Sequence, residues 1–123
     1  MEEVTVNKEQ LENIANIFIE GWNLKSAWER SGIYHEADRR RRQNQIERFN
    51  QRAGLLLKKF HMTFLDFTGQ PYAVELPVQV INAEDCQNMS HLYIQIMKQP
   101  VIKMVDTEEI IHMGIVVLGK QEG

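Results

Sequence analysis

Val101-Ile102-Lys103-Met104-Val105-Asp106-Thr107-Glu108-Glu109-Ile110-Ile111-His112-Met113-Gly114-Ile115-Val116-Val117-Leu118 is the stretch that decides the class of this fold. Val101, Lys103 and Val105 alternate with Ile102 and Met104, the period-two pattern of a strand. Residues 106–109 form a polar turn. Ile110, Ile111 and His112, with residues 115–118, then read as a single strand, interrupted or bulged at Met113-Gly114. The two halves form a hairpin. Upstream, Leu92, Ile94 and Ile96 alternate with Tyr93 and Gln95 before Pro100, which suits a strand better than a short helix. Val78, Val80 and Ile81 give a further β-prone run after Pro77, and residues 82–85 read as a loop.

Outward from this sheet, the texture changes. Asn7 is a good helix N-cap, and Gln10 three residues on completes a capping box. Val6 and Leu11 occupy the positions of a hydrophobic staple. Leu11, Ile14, Ala15, Phe18 and Trp22 follow at spacings of three and four, one apolar stripe of a helix. Gly21 and Ser31-Gly32 predict a break or kink near residues 23–33. A second helix should run from about Tyr34 to about His61, with Ile46, Phe49, Ala53, Leu56 or Leu57, and Phe60 as its stripe. The two helices form either an antiparallel hairpin or one long bent rod. Thr68-Gly69-Gln70-Pro71 is a turn linking helix to sheet, with Gly69 expected at positive φ and Pro71 locking the chain. The reading is an α+β fold: residues 1–61 helical and serving dimerisation, residues 62–123 a small antiparallel β-domain.

The 123 residues suit one globular unit, with 43% hydrophobic and 25% charged side chains. No apolar run approaches the ~20 residues that span a bilayer. The acidic start Met1-Glu2-Glu3 does not resemble a secretory signal. The single cysteine, Cys86, cannot form an internal disulfide, so a reducing cytoplasm is the expected compartment. Net charge is −3 but uneven. It is −3 over residues 1–31, +5 over 32–61 and −5 over 62–123. Such asymmetry serves nucleic-acid binding or self-association of acidic with basic segments.

Chemistry is sparse. His35, His61, His91 and His112 include no pair three or four residues apart, so no helical metal pair arises. Cys86 follows Glu84 and Asp85, an acidic setting that opposes nucleophilic duty. Glu84-Asp85 and Glu108-Glu109 sit in expected turns as solvated acids. The glycines form no phosphate-cradling loop. Arg39, Arg40, Arg41 and Arg42 are consecutive, so on a helix they fan about 100° apart and make no flat basic face. Arg48 and Arg52, four apart, allow a modest stripe. Met89, Met97, Met104 and Met113 suit core gaps or an adaptable binding surface. Trp22 and Trp28 are six residues apart and cannot both face one core. Ile17, Ile19, Trp22 and Trp28 are therefore expected as an exposed apolar remainder that a two-fold dimer would cover.

From residue 55 onward, the order of features resembles the C-terminal half of the GrpE family, the nucleotide-exchange factors of DnaK-type chaperones. Leu55-Leu56-Leu57 ends a helix; Gly69, Pro71 and Tyr72 match that family's Gly-x-Pro-aromatic turn; residues 110–118 match its apolar terminal strand. The helical part is shorter than the family's stalk, and Ile110-Ile111-His112 lacks the arginine-rich approach to the last strand. The resemblance implies a non-enzymatic factor without cofactors. Its helices would dimerise, and its β-domain would touch an ATPase partner, DnaK-type or actin-like, around Met104, Glu108, His112 and Met113. A structural adaptor is the alternative. A nucleic-acid module on the arginine-rich helix ranks below both.

Overall fold

A computed structural model describes residues 7–31, 36–86 and 90–120. Val6, Gly32, Tyr34, His35 and Met89, which enter the readings above, lie outside these residues. The chain divides into two compact units, Met1–Thr63 and Phe64–Gly123.

The first unit is an antiparallel helical hairpin of α1 (Lys8–Ser31) and α2 (Glu36–Lys59). The capping box forms as written: Gln10 N donates to Asn7 Oδ1 at 2.9 Å and Asn7 N to Gln10 Oε1 at 3.0 Å. The expected break near residues 23–33 does not occur up to Ser31, since α1 runs unbroken through Gly21. The reason is packing. A Cβ at Gly21 would strike Asn50 Oδ1 and lie 2.8 Å from Phe49 Cε1, so glycine there lets the helices approach rather than breaking one. Ala15, Phe18, Ile19, Ile46, Ala53 and Leu57 are buried. Phe18 and Trp22 contact with ring centroids 6.5 Å apart. α2 closes through His61, whose φ of 60° is the left-handed cap and whose N–H donates to Lys58 O at 3.0 Å.

The second unit holds two small sheets rather than one antiparallel sheet. Their strands are β1 (Met62–Leu65), β2 (Val78–Val80), β3 (Leu92–Gln99), β4 (Val101–Met104), β5 (Ile110–His112) and β6 (Gly114–Lys120), in the orders β1-β4-β5 and β2-β6-β3. The unit boundary falls within β1, a strand the sequence reading did not include. β2 lies parallel to β6 (Val78 opposite Gly114), and β3 antiparallel to it (Ile94 opposite Leu118).

The expected hairpin exists between β4 and β5, with Ile102 opposite His112. Its second arm, however, is two strands in different sheets, not one bulged strand. Both arms turn together: Pro100, fully buried and unable to donate to a ladder, separates β3 from β4, and Met113 separates β5 from β6. Gly114 sits in this corner because a Cβ would lie 2.8 Å from Met97 Cε, 3.0 Å from Val101 and 3.1 Å from Val78. Chains that bend from one sheet into another enclose a core, here Ile94, Val101, Ile102 and Val116, all without exposure.

The turn at Gly69 also sits differently. It follows β1 instead of joining helix to sheet directly. Gln70 N donates to Phe67 O at 2.9 Å and Gly69 has φ 87°, as a type II turn requires. Asp66 Oδ1 accepts from Thr68 N at 3.0 Å and supports the turn. The chain beyond it covers the edge of β3: Gly69 N donates to Ile94 O, Ile94 N to Gln70 O, and Tyr72 N to Leu92 O. Pro71 bridges to Tyr93.

Candidate protein-interaction sites

In the helical unit, the four expected interface residues separate. Ile17 is 43% exposed, whereas Ile19 is only 5% exposed, which removes it from the exposed remainder. It falls on the buried side with Ala15 and Phe18, while Ile17 lies roughly 160° away around the helix. Trp22 and Trp28 are half-buried rather than free-standing. Two residues outside the expected set complete the surface. Leu24, in the stretch expected to break, is 50% exposed; Phe49, assigned to the α2 core stripe, is 40% exposed.

Leu24, Ala27 and Trp28 face Arg42, Ile46 and Phe49 across an open groove of about 400 Å³. Ile17, Leu24 and Trp28 recur at spacings of seven and four on one side of α1. That spacing was the signal in the sequence, hidden by the expectation of a kink. The arginines fan as expected. Arg42 lines the apolar groove, while Arg39 and Arg40 line a separate shallow pocket with Glu36 and Gln43.

In the β unit, the candidate partner residues fall at two places. Met104 and Glu108 belong to the tip of the β4–β5 hairpin. Met104 N donates to Glu109 O at 2.8 Å, and Glu108 N to Met104 O at 3.2 Å. Glu108 holds φ 60°, a left-handed conformation costly for a residue with a Cβ, and its carboxylate pairs with Lys103 Nζ at 3.1 Å. The tip is thus fixed by its backbone.

His112 and Met113 lie at the corner where the strands change sheets. His112 Nε2 is 2.9 Å from Gln99 Oε1, so the neutral ring with its proton on Nε2 donates to the amide. Burial lowers the pKa of His112 below its ordinary value. Met113 is 44% exposed. The four residues therefore lie at the two ends of one hairpin, Met104 and Glu108 at its tip, His112 at the end of β5 and Met113 in the link to β6.

Among the described residues, no group of three or more His, Cys, Asp or Glu side chains could hold a metal ion. No helix among them is long and apolar enough to cross a membrane. No family model, curated protein or solved structure matches this chain.

Proposed function

We propose that this chain is a non-enzymatic protein-binding factor, GrpE-like in plan. Two helical hairpins associate through the flank of Ile17, Leu24, Trp28 and Phe49. Each β unit offers the β4–β5 hairpin, with Met104, Glu108, His112 and Met113, to an ATPase partner of DnaK-like or actin-like type. Binding the open form of the partner's cleft better than the closed form shifts its equilibrium and speeds nucleotide release.

The observation that carries this reading is the exposed apolar flank. Leu24 and Phe49, half in water on either side of a groove, form the kind of surface that soluble chains cover with protein. The β4–β5 hairpin adds a second surface, of adaptable methionine beside the paired side chains of Glu108 and His112.

The test is nucleotide release from a DnaK-type ATPase domain loaded with a fluorescent nucleotide. The wild-type chain should accelerate release, and a Glu108→Lys, Met113→Ser variant should lose that effect while still self-associating. Binding without acceleration would move the chain to the adaptor reading. Absence of binding would remove the ATPase partner.

A further inference from the structure

The outward faces of the two helices carry a second pattern, which meets the apolar groove only at Ala27 and Gln45. On α2, Arg41, Gln45, Arg48, Arg52, Leu55 and Lys59 recur at spacings of 4-3-4-3-4, and all six are exposed. At 100° per residue they fall within a band roughly 80° wide, about 140° around the helix from buried Ile46, Ala53 and Leu57. The band contains no acid. Its four cations cover about 27 Å at 1.5 Å per residue. On α1, Glu9, Asn13, Asn16, Glu20, Asn23 and Ala27 repeat the same 4-3-4-3-4 spacing and are likewise all exposed. That band contains no base. Such alternation of three and four is the spacing at which one helix lies along another.

We propose that these bands are the two halves of one contact between copies: the acidic α1 seam of one chain lies antiparallel along the basic α2 seam of the next. The register follows from the matched spacings: run antiparallel, the two 4-3-4-3-4 patterns bring Glu20 to Arg48 and Glu9 to Lys59. Asn16 then faces Arg52, and Asn13 faces Leu55. Because the seams point away from each other on one hairpin, the contact is heterologous and extends or rings the assembly, unlike the two-fold contact of the apolar flank. It is made of exposed charges, so it is weak per pair and screened by salt.

Sedimentation of the full chain across protein and salt concentration tests this. The wild type should form species beyond the flank-mediated pair, and raising salt from about 50 to 500 mM should weaken them about tenfold or more. Arg48→Glu with Arg52→Glu should remove the larger species and leave the pair; Asn16→Lys with Glu20→Lys should do the same. Mixing the two variants, or combining all four changes in one chain, should restore them. Leu24→Ser should remove the pair and leave the salt-sensitive contact, so the two surfaces fail separately. Salt-insensitive association, or a mixture that does not recover, overturns the proposal. So does submicromolar binding of a labelled oligonucleotide that only the α2 reversal abolishes, which would give the basic seam to a phosphodiester chain instead.

Discussion

The two units of this chain are held together differently. In the β unit, Ile94, Val101, Ile102 and Val116 lose all contact with water because strands distant in sequence bend around them. In the helical unit, one helix-to-helix face buries Ala15, Phe18, Ile46, Ala53 and Leu57, and a flank of larger side chains stays at the surface. A hairpin of two helices has too little surface of its own to cover every apolar side chain. The β unit encloses a centre without exposure while Val74 and Ile81 stay at its surface, whereas the helical unit keeps Leu24 and Phe49 half-exposed directly beside its buried face.

The largest expected effect probes that contrast directly. Ile94→Ala should cost the β unit ~2–5 kcal/mol in chemical denaturation, because a fully enclosed site cannot collapse around the lost methylenes. Leu24→Ala, at the half-exposed flank, should cost under ~1 kcal/mol and act on association instead. Similar losses at both positions would erase the distinction between a closed core and an open face.

Gly21→Leu sharpens the helical side. Side-chain atoms would meet Phe49 and Asn50, and overpacking should cost ~1–3 kcal/mol. Circular dichroism should show the helices retained but less stable to heat.

Asn82→Ala tests a comparable lock in the β unit. The Asn82 side chain donates from Nδ2 to Leu118 O and accepts from Leu118 N at Oδ1, both at 2.9 Å. An amide side chain thus extends the parallel β2–β6 pairing by one rung after the Ile81 N to Val116 O bond. Its loss leaves two partly buried backbone groups unpaired, at ~1–3 kcal/mol. Hydrogen exchange at Leu118 should accelerate before that of Ile94.

Gly69→Ala should cost ~1 kcal/mol, entirely from its φ of 87°, since a Cβ there meets nothing within 4 Å. Gly69→Asn, which tolerates the left-handed region, should cost less. Equal losses for the two would remove backbone conformation as the cause.

The smallest effect is at the corner of the β unit. Burial lowers the folded pKa of His112 below the unfolded value, so the unfolded state binds more protons as pH falls. The stability His112 contributes is present above about pH 6.5 and is lost as pH falls through the folded pKa. His112→Gln should flatten this part of the stability profile between pH 7 and 5. An unchanged slope would assign the pH dependence elsewhere.

These contrasts follow how much of each element was legible in the residues. The α1 start at Asn7, the β4–β5 hairpin and the positive φ at Gly69 rest on signals within a few residues, and each appears where those signals place it. Gly21 misled because the same residue that weakens an isolated helix is needed where a second helix touches it. Leu24 and Phe49 were missed for the same reason: one fell in the supposed break, the other in a stripe whose rim could not be told from its centre.

By itself, the sequence determined two helices followed by strands, because periodicity and capping act between near neighbours. Tertiary structure alone decided that residues 110–118 serve two sheets, that β2 runs parallel to β6, and that Ile19 turns inward while Ile17 stays in water. Those outcomes depend on which distant surfaces meet. A strand's alternation is the same whichever neighbour it pairs with, and a helix's apolar side chains do not say which of them another element will reach.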